Sequence, residues 1–322
     1  MVNYKIKNLF SYATKELSQD AFLRWIFENW NCNQKDVRKA SRTLLRKLIG
    51  LSEEAIVRIS KLETRTQEKG IDILIDCKIN EISYIIAIED KTYSWTHNNQ
   101  LRRYKKHIKD NYSDYEHIFI FYKTDLLSES ENIFIKERDW VIFDITKIQN
   151  VFCDLKSKIT NNILRDYINH VNNLYIELTG VLSNDISQWK RNHWKNFCIN
   201  HHLEIPDEVM FHFGSFQNKY IYLQFFYKSR INKYPYLEIQ SKEFINKNNH
   251  FSFRFLLHGI NKELIEEYAE RWKEKINKSK LFKSQNHPKQ IGKNINMEKI
   301  TSVKHLERVI KTYVLEYREA MQ

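Results

Sequence analysis

The sequence predicts an α/β unit over residues 1–178, built on a mixed central sheet flanked by helices, followed by an α+β unit over residues 179–322 with an antiparallel sheet. In the first unit, apolar residues recur at helical spacing, then in short β-branched runs, then at helical spacing again. The pattern breaks near Thr179 and Gly180, and aromatic-rich runs with short connections follow. A chain of 322 residues is long enough for two such units.

The first unit is expected to contain two helices, three strands, a third helix, two more strands and a final long helical region. Apolar stripes such as Leu101, Tyr104 and Ile108 predict the helices, and the second and third strands form a hairpin turning at Asn80 and Glu81. A polar surface connection is expected over 124–132. The predicted helices cover 17–30, 35–48, 98–112 and 148–178, and the predicted strands cover 56–66, 71–76, 85–88, 117–122 and 140–145.

The second unit is expected to be a series of antiparallel strands closed by helices. A lysine- and asparagine-rich stretch, 278–296, is expected to be an exposed loop. The predicted strands cover 210–216, 219–227, 236–239 and 251–257, and the predicted helices cover 262–278 and 303–317.

Composition excludes several classes of protein. Six glycines and three prolines are too few for a collagen-like or Pro/Gly-rich disordered chain, and no glycine-rich phosphate-binding motif occurs. Four widely separated cysteines predict free thiols in a reducing compartment. No uncharged run approaches membrane-spanning length, and the first residues lack a signal-peptide pattern. We therefore expect a soluble, cytoplasmic protein with no membrane partner.

The net charge of +12 favours a polyanionic partner such as nucleic acid, with an anionic membrane surface as an electrostatic competitor. Residues 1–178 carry 28 basic and 25 acidic side chains, whereas residues 179–322 carry 24 basic and 15 acidic side chains. The alternative is a solubilising charge with no specific partner. The distribution favours a nucleic-acid-binding or specificity role for the second unit.

Charged residues stand at the ends of the two hairpin strands. Asp72 opens one strand, while Glu89 and Lys91 follow the apolar run 85–88 of the next strand and project to the same side. Two converging carboxylates form an oxygen-rich site suited to Mg²⁺ or Mn²⁺. A lysine beside them can orient water or stabilise charge that develops on a phosphate.

These motifs resemble the PD-(D/E)XK nuclease superfamily over roughly residues 8–150. Asp72 matches the first acid of the pattern, and Glu89-x-Lys91 matches the second acid and the lysine. Gln100-x-x-x-Tyr104 is similar to the Q-x-x-x-Y helix of the RecB-like and λ-exonuclease-like branches. The resemblance implies a restriction-endonuclease-like core. One departure is Ile71, which stands where the pattern commonly has a proline.

Glu16 is similar to the acidic residue that these proteins often carry on the first core helix, although Asp20 faces the same way one turn later. The resemblance implies that Asp72, Glu89 and Glu16 hold one or two Mg²⁺ or Mn²⁺ ions. It implies that the catalytic set comprises these acids with Lys91, Gln100 and Tyr104. Basic residues beside Tyr104 are expected either to bind nucleic acid or to form a solvated helix face: Arg102, Arg103, Lys105 and Lys106.

Simpler interpretations of the same residues stay open. Asp72 could cap the turn after Gly70, and Asp76 on the same strand face is the alternative first acid. Glu89 and Lys91 could form a solvated surface pair, which the preceding apolar run disfavours. In the same way, the glutamine and tyrosine of the Q-x-x-x-Y motif could simply hydrogen-bond each other on an exposed helix face.

The resemblance implies a metal-dependent nuclease that hydrolyses phosphodiester bonds, with DNA as the expected substrate, in defence, restriction or repair. A ribonuclease of the defence or toxin type is one alternative. A non-catalytic nucleic-acid-binding protein on a nuclease scaffold is another, and the intact set of Asp72, Glu89 and Lys91 argues against it. A homodimer and a regulatory partner protein also stay open.

Overall fold

A computed structural model divides the chain into two compact units, Met1–Leu178 and Thr179–Gln322. All four cysteines lie in the described part of the chain, and each is a free thiol. The residues that the structure describes are 8–12, 15–94, 99–153, 155, 159–200, 203, 205–216, 220–227, 236–242, 252–258, 281–283, 291–296 and 300–321.

The first unit alternates helices and strands in the predicted order, with one additional helix and a division of the last helical region. Its helices are α1 (Glu16–Glu28), α2 (Lys35–Leu48), α3 (Gln100–Asn111), α4 (Glu129–Lys136), α5 (Ile145–Cys153) and α6 (Asn162–Thr179). Its strands are β1 (Ile59–Glu68), β2 (Ile71–Ile79), β3 (Ile82–Lys91), β4 (Glu116–Lys123) and β5 (Val141–Asp144).

The five strands form one sheet in the order β1-β2-β3-β4-β5. The pairs β1–β2 and β2–β3 are antiparallel, whereas β3–β4 and β4–β5 are parallel. Helix α3 connects β3 to its parallel neighbour β4, as a parallel pair requires a crossover. The predicted mixed sheet flanked by helices is therefore confirmed.

Strands β2 and β3 are the most deeply buried part of this sheet. Ile73 pairs with Ile88 and Ile75 pairs with Ile86, and all four side chains are completely buried. Helix α1 buries Phe22, Leu23, Ile26 and Phe27, which recur at the spacing of one helix face. Because the apolar run of β3 is fixed in the core, the charged residues that follow it are held at the sheet margin.

The predicted surface connection over 124–132 is wrong in part, because it is buried and ends in a helix. Thr124 and Asp125 have almost no exposed surface, and α4 begins at Glu129. Ser128 and Glu131 form a reciprocal capping box that nucleates this helix. The S-x-x-E spacing in the sequence is the local signal for this helix start.

The predicted single helical region over 148–178 is also wrong, because two helices, α5 and α6, cover it. Asn161 caps the second helix, since its side-chain oxygen accepts a hydrogen bond from the Leu164 amide at 3.0 Å. The Asp36 carboxylate accepts hydrogen bonds from the amides of Thr160 and Asn161 at 2.6 and 2.9 Å. These side-chain bonds replace the intrahelical bonds that a continuous helix would make.

The second unit contains a six-stranded sheet in the order β10-β11-β9-β8-β7-β6, in which every neighbouring pair is antiparallel. The predicted antiparallel sheet is therefore confirmed. Its strands are β6 (Val209–Phe216), β7 (Tyr220–Tyr227), β8 (Tyr236–Lys242), β9 (Ser252–His258), β10 (Leu281–Lys283) and β11 (Ile291–Asn296). Its described helices are α7 (Arg191–Asn200) and α8 (Val303–Met321), which contribute Trp194, Phe197, Leu306 and Val314 to a buried apolar core.

Two features of the second unit differ from the sequence prediction. Strands β10 and β11 lie inside the stretch 278–296 that was expected to be a loop, because β11 pairs with the distant strand β9. Helix α7 was not predicted. The predicted helix over 262–278 lies outside the described residues. No helix in the described part of the chain has both the length and the apolar character that crossing a membrane requires.

A buried hydroxyl pair links the sheet to α6 and provides a test of the first unit's packing. The hydroxyls of Tyr122 on β4 and Tyr167 on α6 lie 2.9 Å apart, and both side chains are buried. Tyr122→Phe or Tyr167→Phe alone leaves one buried hydroxyl unpaired, so each is expected to lower the free energy of unfolding by about 1–3 kcal/mol. The double variant should lose less than the sum of the two. Urea unfolding of the four proteins measures this, and strictly additive losses would contradict it.

Candidate active site

The antiparallel hairpin brings the start of β2 and the end of β3 to the same edge of the sheet. The pairing of Ile73 with Ile88 places Asp72 beside Glu89 on the neighbouring strand. The Asp90 amide donates a hydrogen bond to Asp72 Oδ2 at 2.8 Å. The backbone of the second strand therefore fixes the carboxylate of the first.

Lys91 lies at the centre of a charged cluster that it forms with Asp72, Glu89 and Glu16. Its Nζ is 2.6 Å from Glu89 Oε1 and 3.8 Å from both Asp72 Oδ2 and Glu16 Oε2. The same ammonium donates a hydrogen bond to the Asp90 carbonyl at 2.9 Å. Glu89 is completely buried and Lys91 is 7% exposed, so this pair is not a solvated surface pair.

Glu16 reaches the cluster from the first turn of α1. Its Oε1 accepts hydrogen bonds from the Thr92 amide at 3.3 Å and from the Ser94 hydroxyl at 2.5 Å. The segment that follows β3 thus holds this carboxylate, whose other oxygen faces Lys91. A carboxylate in the first turn of a helix is also favoured by the helix dipole.

The Q-x-x-x-Y residues support the turn that precedes Asp72. Gln100 Nε2 donates a hydrogen bond to the Tyr104 hydroxyl at 2.7 Å, and that hydroxyl donates to the Gly70 carbonyl. Tyr104 is 3% exposed, so the pair does hydrogen-bond internally but not on an exposed helix face. These two hydrogen bonds connect the motif to the turn at Gly70, one step away from the carboxylates.

The four basic residues of α3 fall into two pairs. Lys105 lies 2.7 Å from Asp139, and Lys106 lies 2.6 Å from Asp110, so each has a counter-charge. Arg102 and Arg103 are exposed and form no ion pair with any residue that the structure describes. The two arginines are therefore better placed than the lysines to meet a phosphate.

Asp20 and Asp90 form a second pair of acids beside the cluster, and the sequence analysis considered Asp20 only as an alternative to Glu16. The Asp90 carboxylate is completely buried and accepts a hydrogen bond from the Gln19 amide group on α1. Burial and the nearby Asp72 carboxylate raise the pKa of Asp20, also on α1, to about 7. Burial and the Asp20 carboxyl raise the pKa of Asp90 well above its usual value. The spacing of Glu16, Gln19 and Asp20 on one helix face was the available signal.

The alternative first acid, Asp76, takes part in a different set of contacts. Its carboxylate lies 2.8 Å from Lys61 Nζ and 3.9 Å from the Arg65 guanidinium, both on β1. No contact of Asp76 with Lys91 or Glu16 occurs among the described residues. Asp76 therefore lies on the same strand as Asp72 but is not part of the cluster.

Burial determines the protonation of Glu89, whereas the neighbouring carboxylates determine that of Lys91. It raises the pKa of Glu89 to about 8, with the Asp72 carboxylate adding to the shift and Lys91 opposing it. Burial alone would lower the pKa of Lys91, but the carboxylates of Glu89, Asp72 and Glu16 outweigh it and raise that pKa. Lys91 is therefore a fixed positive charge at neutral pH.

The donor set fits a hard divalent cation. Asp72, Glu89 and the Asp90 carbonyl supply oxygen atoms, and Glu89 Oε2 is buried without a hydrogen-bond partner among the described residues. Mg²⁺ and Mn²⁺ prefer such oxygen ligands. Within the described ranges, no three His, Cys, Asp or Glu side chains already surround a common metal position. Lys91 Nζ lies between the carboxylates instead.

Comparison with known families places the N-terminal half of the chain in one of them. Residues 7–163 match the family model of the PD-(D/E)XK nuclease superfamily. The N-terminal half of the chain belongs to this superfamily. No curated protein and no solved structure gives a significant match to the chain. The first unit is therefore built on a nuclease scaffold, and the matched segment contains the whole charged cluster.

Two glycines at positive φ test the contact between Tyr104 and the turn before Asp72. Gly70 has φ +86°, and a Cβ atom there would lie 3.1 Å from the Tyr104 hydroxyl oxygen. Gly50 has φ +74°, and a Cβ atom there would have no neighbour within 4 Å. Both Gly→Ala variants should lose about 1 kcal/mol of unfolding free energy from backbone strain.

Gly70→Ala should lose more than Gly50→Ala, because the added methyl group also displaces the tyrosine hydroxyl from its carbonyl partner. Urea unfolding of the two variants measures the difference. Equal losses would show that the contact between Tyr104 and Gly70 does not restrict this turn.

The raised pKa of Glu89 predicts a pH dependence of stability in metal-free buffer. Between about pH 4.5 and pH 8, the folded protein holds a proton on Glu89 that the unfolded chain releases. Raising the pH through this window therefore destabilises the wild type. Glu89→Gln does not titrate, so its stability relative to wild type should rise with pH, by on the order of a few kcal/mol at most.

Urea unfolding in EDTA at several pH values between 5 and 8 measures this difference, with the exposed Glu81→Gln as the control. A relative stability that falls as the pH rises would mean that the ion pair with Lys91 outweighs burial. That outcome would contradict burial as the cause of the raised pKa of Glu89.

Proposed function

We propose that the chain is a metal-dependent nuclease that hydrolyses phosphodiester bonds in DNA, with a role in defence, restriction or repair. The observation that carries the proposal is the convergence of Asp72, Glu89 and Glu16 on the buried Lys91. Membership of the N-terminal half in a nuclease superfamily supports the same reaction class. Assignment to DNA and to these roles follows from the resemblance and from the net positive charge.

Asp72, Glu89 and the Asp90 carbonyl would hold Mg²⁺ or Mn²⁺, with Glu16 binding beside them. A bound divalent ion lowers the pKa of water and polarises a phosphoryl oxygen. The protein's own contribution is to keep the oxygen donors fixed: the Asp90 amide orients Asp72, and Ser94 and Thr92 orient Glu16. Such pre-orientation removes reorganisation from the reaction itself.

Lys91 would act as a charge and a hydrogen-bond donor. Its raised pKa keeps it protonated at neutral pH, so it is unsuited to remove a proton from water. An ammonium in this position can orient the attacking water or neutralise the charge that develops on the phosphate. Glu89 keeps the side chain of Lys91 in place through their 2.6 Å contact.

The remaining assignments concern positioning and binding. Gln100 and Tyr104 would hold the turn at Gly70 and thereby the start of β2. Arg102 and Arg103 would contact the phosphate backbone, while the neutralised Lys105 and Lys106 would contribute less. The second unit, residues 179–322, would bind the polymer or select its form, since it carries 24 basic and 15 acidic side chains.

A cleavage assay tests the proposed function. Circular plasmid, linear duplex, single-stranded DNA and structured RNA are incubated with Mg²⁺, Mn²⁺ or EDTA. Metal-dependent cleavage of DNA is expected, and Asp72→Asn or Lys91→Ala should each lower its rate at least about a hundredfold. Asp76→Asn is the matched control, because it removes an acid from the same strand outside the cluster.

Each outcome of this assay has a defined meaning. Cleavage of RNA alone would replace the DNA assignment with a ribonuclease. Cleavage that survives Asp72→Asn and Lys91→Ala would contradict the site. Binding of nucleic acid by a folded protein that cleaves none of the four substrates with metal present would favour a non-catalytic binding protein.

A further inference from the structure

The outer face of α2 carries a dense set of positive charges that the candidate active site does not use. In the 14 residues of this helix, six are basic and only Asp36 is acidic. The basic residues, which we call the α2 basic face, are Lys35, Arg38, Lys39, Arg42, Arg46 and Lys47. Arg38, Lys39, Arg42 and Arg46 follow Lys35 by three, four, seven and eleven residues, so these five lie along the same side of the helix, and Lys47 lies further round it.

The apolar face of α2 is already fully used inside the first unit. Val37, Ala40, Leu44, Leu45 and Leu48 are at most 3% exposed. A basic amphipathic helix binds a membrane by inserting its apolar face between lipids. Because the apolar face is buried in the protein core, only the α2 basic face is available to a partner.

The arginines of the α2 basic face are held by carbonyl groups, which leave their charge in place. Arg38 donates a hydrogen bond to the Cys32 carbonyl at 2.9 Å, and Arg46 donates to the Glu53 carbonyl at 2.7 Å. The Arg42 guanidinium carbon lies 5.8 Å from the centre of the Trp30 ring. These contacts order the side chains, and of the three arginines only Arg46 also interacts with a nearby carboxylate, that of Glu53, among the described residues.

Few carboxylates compensate this charge. Lys47 pairs with Glu53 at 2.6 Å, and it is the one ion-paired member of the α2 basic face among the described residues. The Asp36 carboxylate accepts hydrogen bonds from the amides of Thr160, Asn161 and Val37. The side chains of Lys35 and Lys39 are exposed and form neither an ion pair nor a hydrogen bond with any described residue.

Helix stability does not account for the positive charges at the start of α2. A basic residue near the C-terminus of a helix is favoured by the helix dipole, as for Arg46 and Lys47. Near the N-terminus the same charge is disfavoured. Lys35, Arg38 and Lys39 lie in the first turns, so an external anion is the better explanation for them.

We propose that the α2 basic face binds the phosphate backbone of a nucleic acid outside the candidate active site. Lys35 and Lys39 are about 6 Å apart along the helix axis, and Lys35 and Arg46 about 16 Å, at 1.5 Å per residue. Over the same length of duplex axis, each strand carries about five phosphates, at 3.4 Å of axis per phosphate. Helix α2 packs against α1, whose first residue is Glu16 of the cluster. The inference rests on the proposed function, because it assumes that the substrate is a nucleic acid.

Binding in EDTA tests this inference apart from cleavage. A fluorescein-labelled 30-base-pair DNA duplex and a structured RNA of similar length are titrated with the full chain at 50–200 mM KCl. Lys35→Gln/Lys39→Gln removes two uncompensated charges. The matched control, Arg24→Gln/Lys78→Gln, removes two basic residues that pair with Glu28 and Glu81.

Lys35→Gln/Lys39→Gln should raise the Kd on the order of tenfold at 100 mM KCl and reduce the slope of log K against log salt by about 2, as expected for two lost phosphate contacts. The control should change the Kd by less than about twofold. All four substituted lysines and arginines lie at the surface or in surface pairs, and circular dichroism verifies that each variant is folded.

Equal affinities of the two double variants would overturn the proposal while leaving the nuclease proposal to its own cleavage assay. Absence of binding by the wild type to both nucleic acids would contradict both proposals. Binding to anionic phosphatidylserine vesicles that depends on Lys35 and Lys39, with nucleic-acid affinity unchanged in the variant, would assign the α2 basic face to a membrane surface and overturn this inference.

Discussion

The burial of charge at the end of β3 is the constraint on which the rest of the first unit depends. The run of buried isoleucines and alanine in this strand leaves the next residues, Glu89 and Lys91, almost without solvent. Buried charges are costly unless other charges and hydrogen bonds compensate them. Asp72, Glu16 and the Asp90 carbonyl all lie around the Lys91 ammonium and provide that compensation.

Several elements of the fold serve to keep these groups in place. Strand β2 runs antiparallel to β3 and brings Asp72 to the same edge, and α1 brings Glu16 over that edge. Helix α3 fixes the turn before β2 through the hydrogen bond of Tyr104 to Gly70. The cluster therefore combines residues from two strands and one helix, which makes its geometry a property of the whole unit.

The part of the site that depends on one hairpin could be predicted from the sequence. The two-residue period of a strand places Glu89 and Lys91 on one side, and the antiparallel hairpin places Asp72 beside them. The contacts of Asp20 and Gln19 with Asp90 could not be predicted, because they depend on how α1 packs on the sheet. Likewise, the hydrogen bonds that Asp36 accepts from Thr160 and Asn161, just before α6, connect residues more than a hundred positions apart.

The proposed nuclease activity depends most directly on divalent-metal binding by Asp72 and its neighbours. Isothermal titration with Mn²⁺ tests it without reference to substrate, using the wild type, Asp72→Asn and Asp76→Asn. We expect saturable Mn²⁺ binding by the wild type and by Asp76→Asn, and a Kd at least about tenfold higher for Asp72→Asn. Equal Mn²⁺ affinity of all three proteins, or no binding by the folded wild type, would contradict it.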